Sequence, residues 1–174
     1  MSLDIDEPVC VIDIDVSFIN DYMDMINYPI KPGQFIATES WWNDTWKKGY
    51  RLQGGFQKYY PKDCKYIYDK FVSNPEYWME YYIKNRTTIG PVNGEQYFVE
   101  DSVKERLQLN FIPATWITRW ENMAYHDRDW LANANAAYPG DWLYIGGEFN
   151  PEIRMIHFLG LHQPHVAIRE VRGW

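Results

Sequence analysis

The sequence holds only two cysteines, Cys10 and Cys64, in 174 residues. A disulfide framework is thereby excluded as the means of holding the fold together, and a reducing compartment is the better match. No apolar run reaches the length of about 18 residues that a membrane span needs, and the amino terminus lacks the charged-then-apolar pattern of a secretion signal, so the expected setting is cytoplasmic. Basic charge is scarce too. A formal charge of −7 argues against a general nucleic-acid or anionic-membrane binder, which requires a basic face. Repeats, low-complexity tracts and linkers are also lacking, which points to a single domain over residues 1–174.

What is abundant is apolar and aromatic. Hydrophobic residues make up 46% of the chain, enough for a substantial core, and nine Trp with fourteen Tyr leave rings over for a cleft or a surface. Short strands and helices alternate in an α/β pattern. The run "VCVI" at 9–12 has no polar alternation and is expected as a strand buried on both faces, the usual condition of a parallel strand. "QFIAT" and "LQGGFQKYY" read as further strands, the second interrupted by Gly54 and Gly55. Pro61 opens a helix, Asn74 and Pro75 cap and open the next, and a third begins near Gly94 or Glu95, with Phe98, Val99, Val103 and Leu107 on one face. "LNFIPATWITRW" reads as extended segments bent at Pro113, residues 126–137 as a helix, and "WLYIGG" and "IRMIHFLG" as strands. Trp41, Trp42 and Trp46 fall in a loop, where flat indole faces suit either packing or the binding of a sugar or a flat ligand.

Two apolar runs end in groups that bind cations. Asp13 and Asp15 follow "VCVI" directly, and ligands in open α/β sheets gather beyond the carboxyl ends of strands. Paired carboxylates repel each other, and a divalent cation relieves the repulsion. Taken alone, the tripeptide reads more readily as two solvated acids at a strand end. His157 ends "IRMIH", where a lone histidine is commonly a satisfied core residue, but imidazole together with carboxylates suits an ion such as Mn²⁺.

Taken together, Asp-x-Asp at one strand end and His-Phe-x-Gly at a distant one resemble the metal site of nucleotide-sugar-dependent glycosyltransferases of the GT-A fold, in particular the retaining, glycogenin-like and galactosyltransferase-like group. The resemblance implies a GT-A type α/β fold, a mixed and mostly parallel sheet with flanking helices, and a metal-dependent transfer of a sugar from a UDP-sugar donor to a glycan or other acceptor. It implies that Asp13 contacts the ribose or the metal, that Asp15 and His157 ligate Mn²⁺ or Mg²⁺, and that Gly160 lets the diphosphate approach the backbone. "LQGGFQKYY" resembles the small-residue strand lining the donor sugar, which makes Gln53, Gly54 and Gly55 donor-binding candidates. "NGEQYFVED" resembles the helix start beside the reacting sugar, which makes Glu95 and Gln96 catalytic candidates in positioning roles.

The chain departs from the family in three places. Gln163-Pro164-His165 stands where Lys-Pro-Trp is usual, Tyr97 replaces the second acid after Gln, and the Asp-x-Asp strand begins within the first ten residues, where the family places a longer nucleotide-binding region. A chain truncated at its amino terminus would expose a sheet edge and invite self-association. The competing expectations are a non-catalytic carbohydrate-binding module, an inactive transferase remnant, and a hydrolase with paired acids, which would need carboxylates about 5–10 Å apart across a sugar.

Overall fold

The computed structural model describes residues 5–39, 49–85, 94–119, 144–145, 148–149 and 151–157. In chain order the elements are β1 (Val9–Ile12), β2 (Val16–Phe18), α1 (Met23–Ile26), β3 (Gln34–Glu39), β4 (Leu52–Tyr59), α2 (Pro61–Ser73), α3 (Pro75–Asn85), α4 (Gly94–Arg106), β5 (Gln108–Phe111), β6 (Ile117–Arg119), β7 (Tyr144–Ile145), β8 (Glu148–Phe149) and β9 (Met155–His157). The helix starts follow their local chemistry. Pro61 occupies the first turn of α2, where its missing N–H costs nothing, and the Tyr77 N–H donates to Asn74 Oδ1 at 3.3 Å, satisfying an orphan donor of α3. The predicted helix over 126–137 and the Trp41–Trp42–Trp46 loop lie outside the described residues.

The result is a mixed α/β arrangement, but among the described strands the expected predominance of parallel pairing is not met. In the larger sheet, ordered β1-β4-β3-β5, the β1/β4 and β3/β4 pairs are antiparallel and only β3/β5 is parallel. In the second sheet, ordered β2-β9-β6, β2/β9 is antiparallel and β6/β9 parallel. β7 and β8 form an antiparallel pair. The reading of "VCVI" as a doubly buried parallel strand is likewise corrected. β1 lies at the edge of its sheet, pairs antiparallel with β4, and leaves Val11 41% exposed. An apolar run of four residues does not distinguish the two situations.

Side chains alternate between the faces of the larger sheet, and each face has its own core. On one, Ile36 and Phe56 meet Ile117, Met155 and Ile156 of the second sheet and Met25 of α1. On the other, Phe35, Ala37 and Leu52 pack with Val103 of α4, and Cys64 and Ile67 of α2 lie against them. A third cluster of Tyr50, Tyr82, Tyr97 and Phe98 joins α3 to α4. The core also takes in Lys58, whose ammonium donates to the carbonyls of Ile26 at 2.7 Å and Tyr28 at 2.8 Å, satisfying the end of α1 with a buried cation. No described helix is long and apolar enough to cross a membrane.

Candidate metal centre

Asp13 and Asp15 sit where the chain leaves one sheet for the other. The Asp13 N–H still donates to the Gly55 carbonyl at 3.2 Å, extending the β1/β4 ladder by one residue. Ile14 then turns fully outward at 99% exposure, and β2 begins immediately after Asp15. The first residue of β2, Val16, is paired with His157 of β9. Register therefore sets the centre. Asp15 arrives beside His157 because its neighbour is hydrogen-bonded into that strand, and Asp13 arrives because β1 is anchored on β4.

One ligand atom from each of Asp13, Asp15 and His157 lies within 4.8 Å of the others. His157 Nε2 is 3.3 Å from Asp15 Oδ1 and 3.8 Å from Asp13 Oδ2. Adjacent ligands around a small divalent ion with bonds of about 2.1 Å stand roughly 3 Å apart, so the set fits such an ion after small rotamer adjustments. The imidazole is buried, while the carboxylates are nearly half exposed, so the group is open to solvent on the carboxylate side. Burial pushes the Asp13 carboxyl above its ordinary value, Asp15 pushes it the same way, and His157 opposes them. A cation stabilises both carboxylates in their charged form.

The glycine pair of β4 completes the surroundings. Ala37 of β3 pairs with Gln57, but the next residue, Thr38, pairs with Gln53, so β4 bulges over residues 54–56. Gln53 braces this bulge. Its side-chain oxygen accepts from the Thr38 hydroxyl at 2.6 Å and the Gly55 N–H at 2.8 Å. A side chain at Gly54 would point into a space bounded by Asp13 Oδ2, Gln57 Nε2 and Gln96 Nε2, each 3.7 Å from its Cβ. Gly54, Gln96 and Asp13 thus converge, with Glu95 one residue before Gln96 at the start of α4. Gly160, His162 and the 163–165 segment lie outside the described residues.

The two glycines are not equivalent. A Cβ at Gly55 would fall 2.8 Å from Gln53 Oε1 and displace the brace, so Gly55→Ala is expected to cost about 1–3 kcal/mol in urea unfolding. A methyl at Gly54 makes only ordinary contacts, and Gly54→Ala is expected to stay within about 0.5 kcal/mol of the parent. Equal losses in both variants would contradict this account of the bulge.

Thr38, Gln57 and Glu100 are residues of the site and its support that the sequence pattern did not single out. Gln57 could have been found by counting alternate positions from Tyr59, since both point to the helix-covered face.

No family model matches the sequence, and comparison with curated proteins gives no match. Among solved structures the chain is similar to mouse xyloside xylosyltransferase 1 in its apo form, with a TM-score of 0.47 and 12% identity, over 90% of this chain and 59% of that one. The chain therefore spans about 59% of the length of that protein's chain.

Proposed function

We propose that the chain is a metal-dependent glycosyltransferase, moving a sugar from a nucleoside-diphosphate donor, with UDP the first choice, to an acceptor hydroxyl. One observation carries the reading: the Asp13, Asp15 and His157 ligand set opens beside the side-chain-free surface of Gly54, where Gln96 also arrives. Cation ligands next to a space walled by amide groups suit a diphosphate joined to a sugar. A hydrolase with acids on opposite sides of a bond would need them farther apart.

In this reading Asp15 and His157 would hold the ion, and Asp13 would contact the ion or the ribose. The mixed carboxylate and imidazole set favours Mn²⁺ over Mg²⁺. The bound ion supplies positive charge that offsets the diphosphate as the sugar departs. Gly54 lets the sugar lie close to the strand, and Gln96 Nε2 offers N–H donors to its hydroxyls. Glu95 and Gln96 position the sugar, and neither acts as a nucleophile. Gln53 and Gly55 keep the bulge in shape. The role of Gly160 beside the diphosphate and the retention of anomeric configuration rest on the family resemblance alone.

The test is a calorimetric titration of the purified chain with UDP, with and without Mn²⁺. Binding is expected only with the ion. Absence of binding in both conditions removes the donor site, and sugar binding without nucleotide binding would identify a carbohydrate-binding module instead.

A further inference from the structure

A cavity of about 590 Å³ lies between the larger sheet and helices α2, α3 and α4. Its size is that of a site for a small organic molecule. The sequence of α2 explains why it is there. Cys64, Ile67, Tyr68 and Phe71 recur at helical spacing and form an apolar stripe, yet no residue of α2 is fully buried, because the stripe faces the cavity. Trp78 and Tyr82 of α3 form the facing wall. At the mouth, Tyr68 is 61% and Met79 56% exposed, an apolar rim that a folded chain gains nothing by showing to water.

The chemistry of the lining is one-sided. Among the described residues, apart from tyrosine hydroxyls, the Trp78 indole N–H (given to the Lys70 carbonyl at 3.0 Å) and the Cys64 thiol, the polar side chains lining the cavity are Gln57 and Glu95. The Tyr82 hydroxyl is already committed as a donor to Asp101 at 2.7 Å. Burial pushes the Cys64 thiol up to about 12, so it is a neutral wall group. Gln57 and Glu95 mark the end nearest the candidate donor site, because Gln57 Nε2 also borders the space at Gly54 and Glu95 adjoins Gln96. The described lining is thus mostly apolar, and Gln57 is the residue it shares with the space at Gly54.

We infer that this cavity holds the acceptor, and that the acceptor carries its reacting hydroxyl on a flat aromatic body and not on a free sugar. The inference rests on the transferase reading for the word acceptor. A hexose inserted here would leave most of its hydroxyls facing rings, each an unmade hydrogen bond. An aromatic ring gains area burial and edge-to-face contacts with Trp78, Phe71 and Phe98, and its one hydroxyl meets Gln57 and Glu95. In the transfer, the acceptor oxygen bonds to the anomeric carbon as the bond from that carbon to the diphosphate oxygen breaks. The electron pair leaves with the nucleoside diphosphate, and the hydroxyl proton passes through the Glu95 carboxylate to solvent.

The experiment uses 2-naphthol as the probe, followed by its own fluorescence during titration with the full chain, beside the UDP and Mn²⁺ titration. Saturable binding is expected, unaffected by methyl glucoside, and weakened at least about tenfold by Ile67→Trp, which fills the cavity. Met79→Trp, at the exposed rim, provides the same test should Ile67→Trp fail to fold. Absence of naphthol binding while UDP binds with Mn²⁺ overturns this inference and leaves the donor site standing. Naphthol binding without any UDP binding overturns the acceptor role. Binding unchanged in both variants, or a concentration-dependent dimer that covers α2 and α3 and excludes the probe, also overturns it.

Discussion

Asp15→Ala and His157→Ala are each expected to weaken Mn²⁺-dependent UDP binding by about 100-fold or more, because loss of even an outer-shell partner commonly costs 10–100-fold and these residues are direct ligands in the proposed site. The two substitutions differ in every other respect, which makes the pair informative. The Asp15 side chain is 44% exposed and relieves charge repulsion when removed, so its loss should leave stability intact. His157 is buried, and its truncation leaves a gap beside the second sheet, with a measurable loss of stability. A shared loss of metal-dependent binding despite unlike effects on folding would locate the cause in ligation. Cys64→Ala, in the helix layer, should leave UDP binding with Mn²⁺ unchanged. Full binding in both Asp15→Ala and His157→Ala, measured by the same calorimetry, would eliminate the proposed centre.

The grouping of Asp13, Asp15 and His157 was legible only when the two strand ends were taken together with the family resemblance, since each alone reads as solvated acids or a core histidine. What brings those ends together was not legible. Pairing of Val16 with His157 joins residues far apart in sequence, and nothing in either tripeptide specifies it. Helices were read well where proline and asparagine mark their starts, as at Pro61 and Asn74, since capping is local chemistry. β1 was misread because burial on both faces is a property of the sheet around a strand. Its own four residues would look the same at an edge. The buried polar groups were invisible for a related reason. Lys58 and Glu100 stand among other charged residues in the sequence, and only the fold shows that these are the ones taken inside.

Glu100→Ala is expected to lower stability more than Gly55→Ala does. The Glu100 side chain is 1% exposed, and one carboxylate oxygen accepts from the backbone N–H groups of Arg51 at 2.8 Å and Leu52 at 2.6 Å, while the other lies 2.6 Å from Lys104 Nζ. The N–H groups of Arg51 and Leu52 mark the point where the chain enters β4, so α4 supplies the acceptor they would otherwise lack. Glu100→Ala leaves the buried Leu52 N–H without its acceptor and takes the same acceptor from the part-buried N–H of Arg51, for a net loss of about 2–3 kcal/mol once Lys104 is released to water. Glu100→Gln retains an oxygen in the same place for both N–H groups and loses only the contact with a half-exposed lysine, about 1 kcal/mol. Urea unfolding of the two variants separates acceptor geometry from charge; equal losses would mean that charge dominates. The effect also reaches the site. Gln96 lies one helical turn before Glu100 on the same face of α4, so the carboxylate that fastens α4 to the start of β4 also fixes how closely Gln96 approaches Gly54. Glu100→Ala should therefore weaken binding of the intact UDP-sugar more than binding of UDP alone, since Asp13 and Asp15, between β1 and β2, and His157 of β9 lie outside α4.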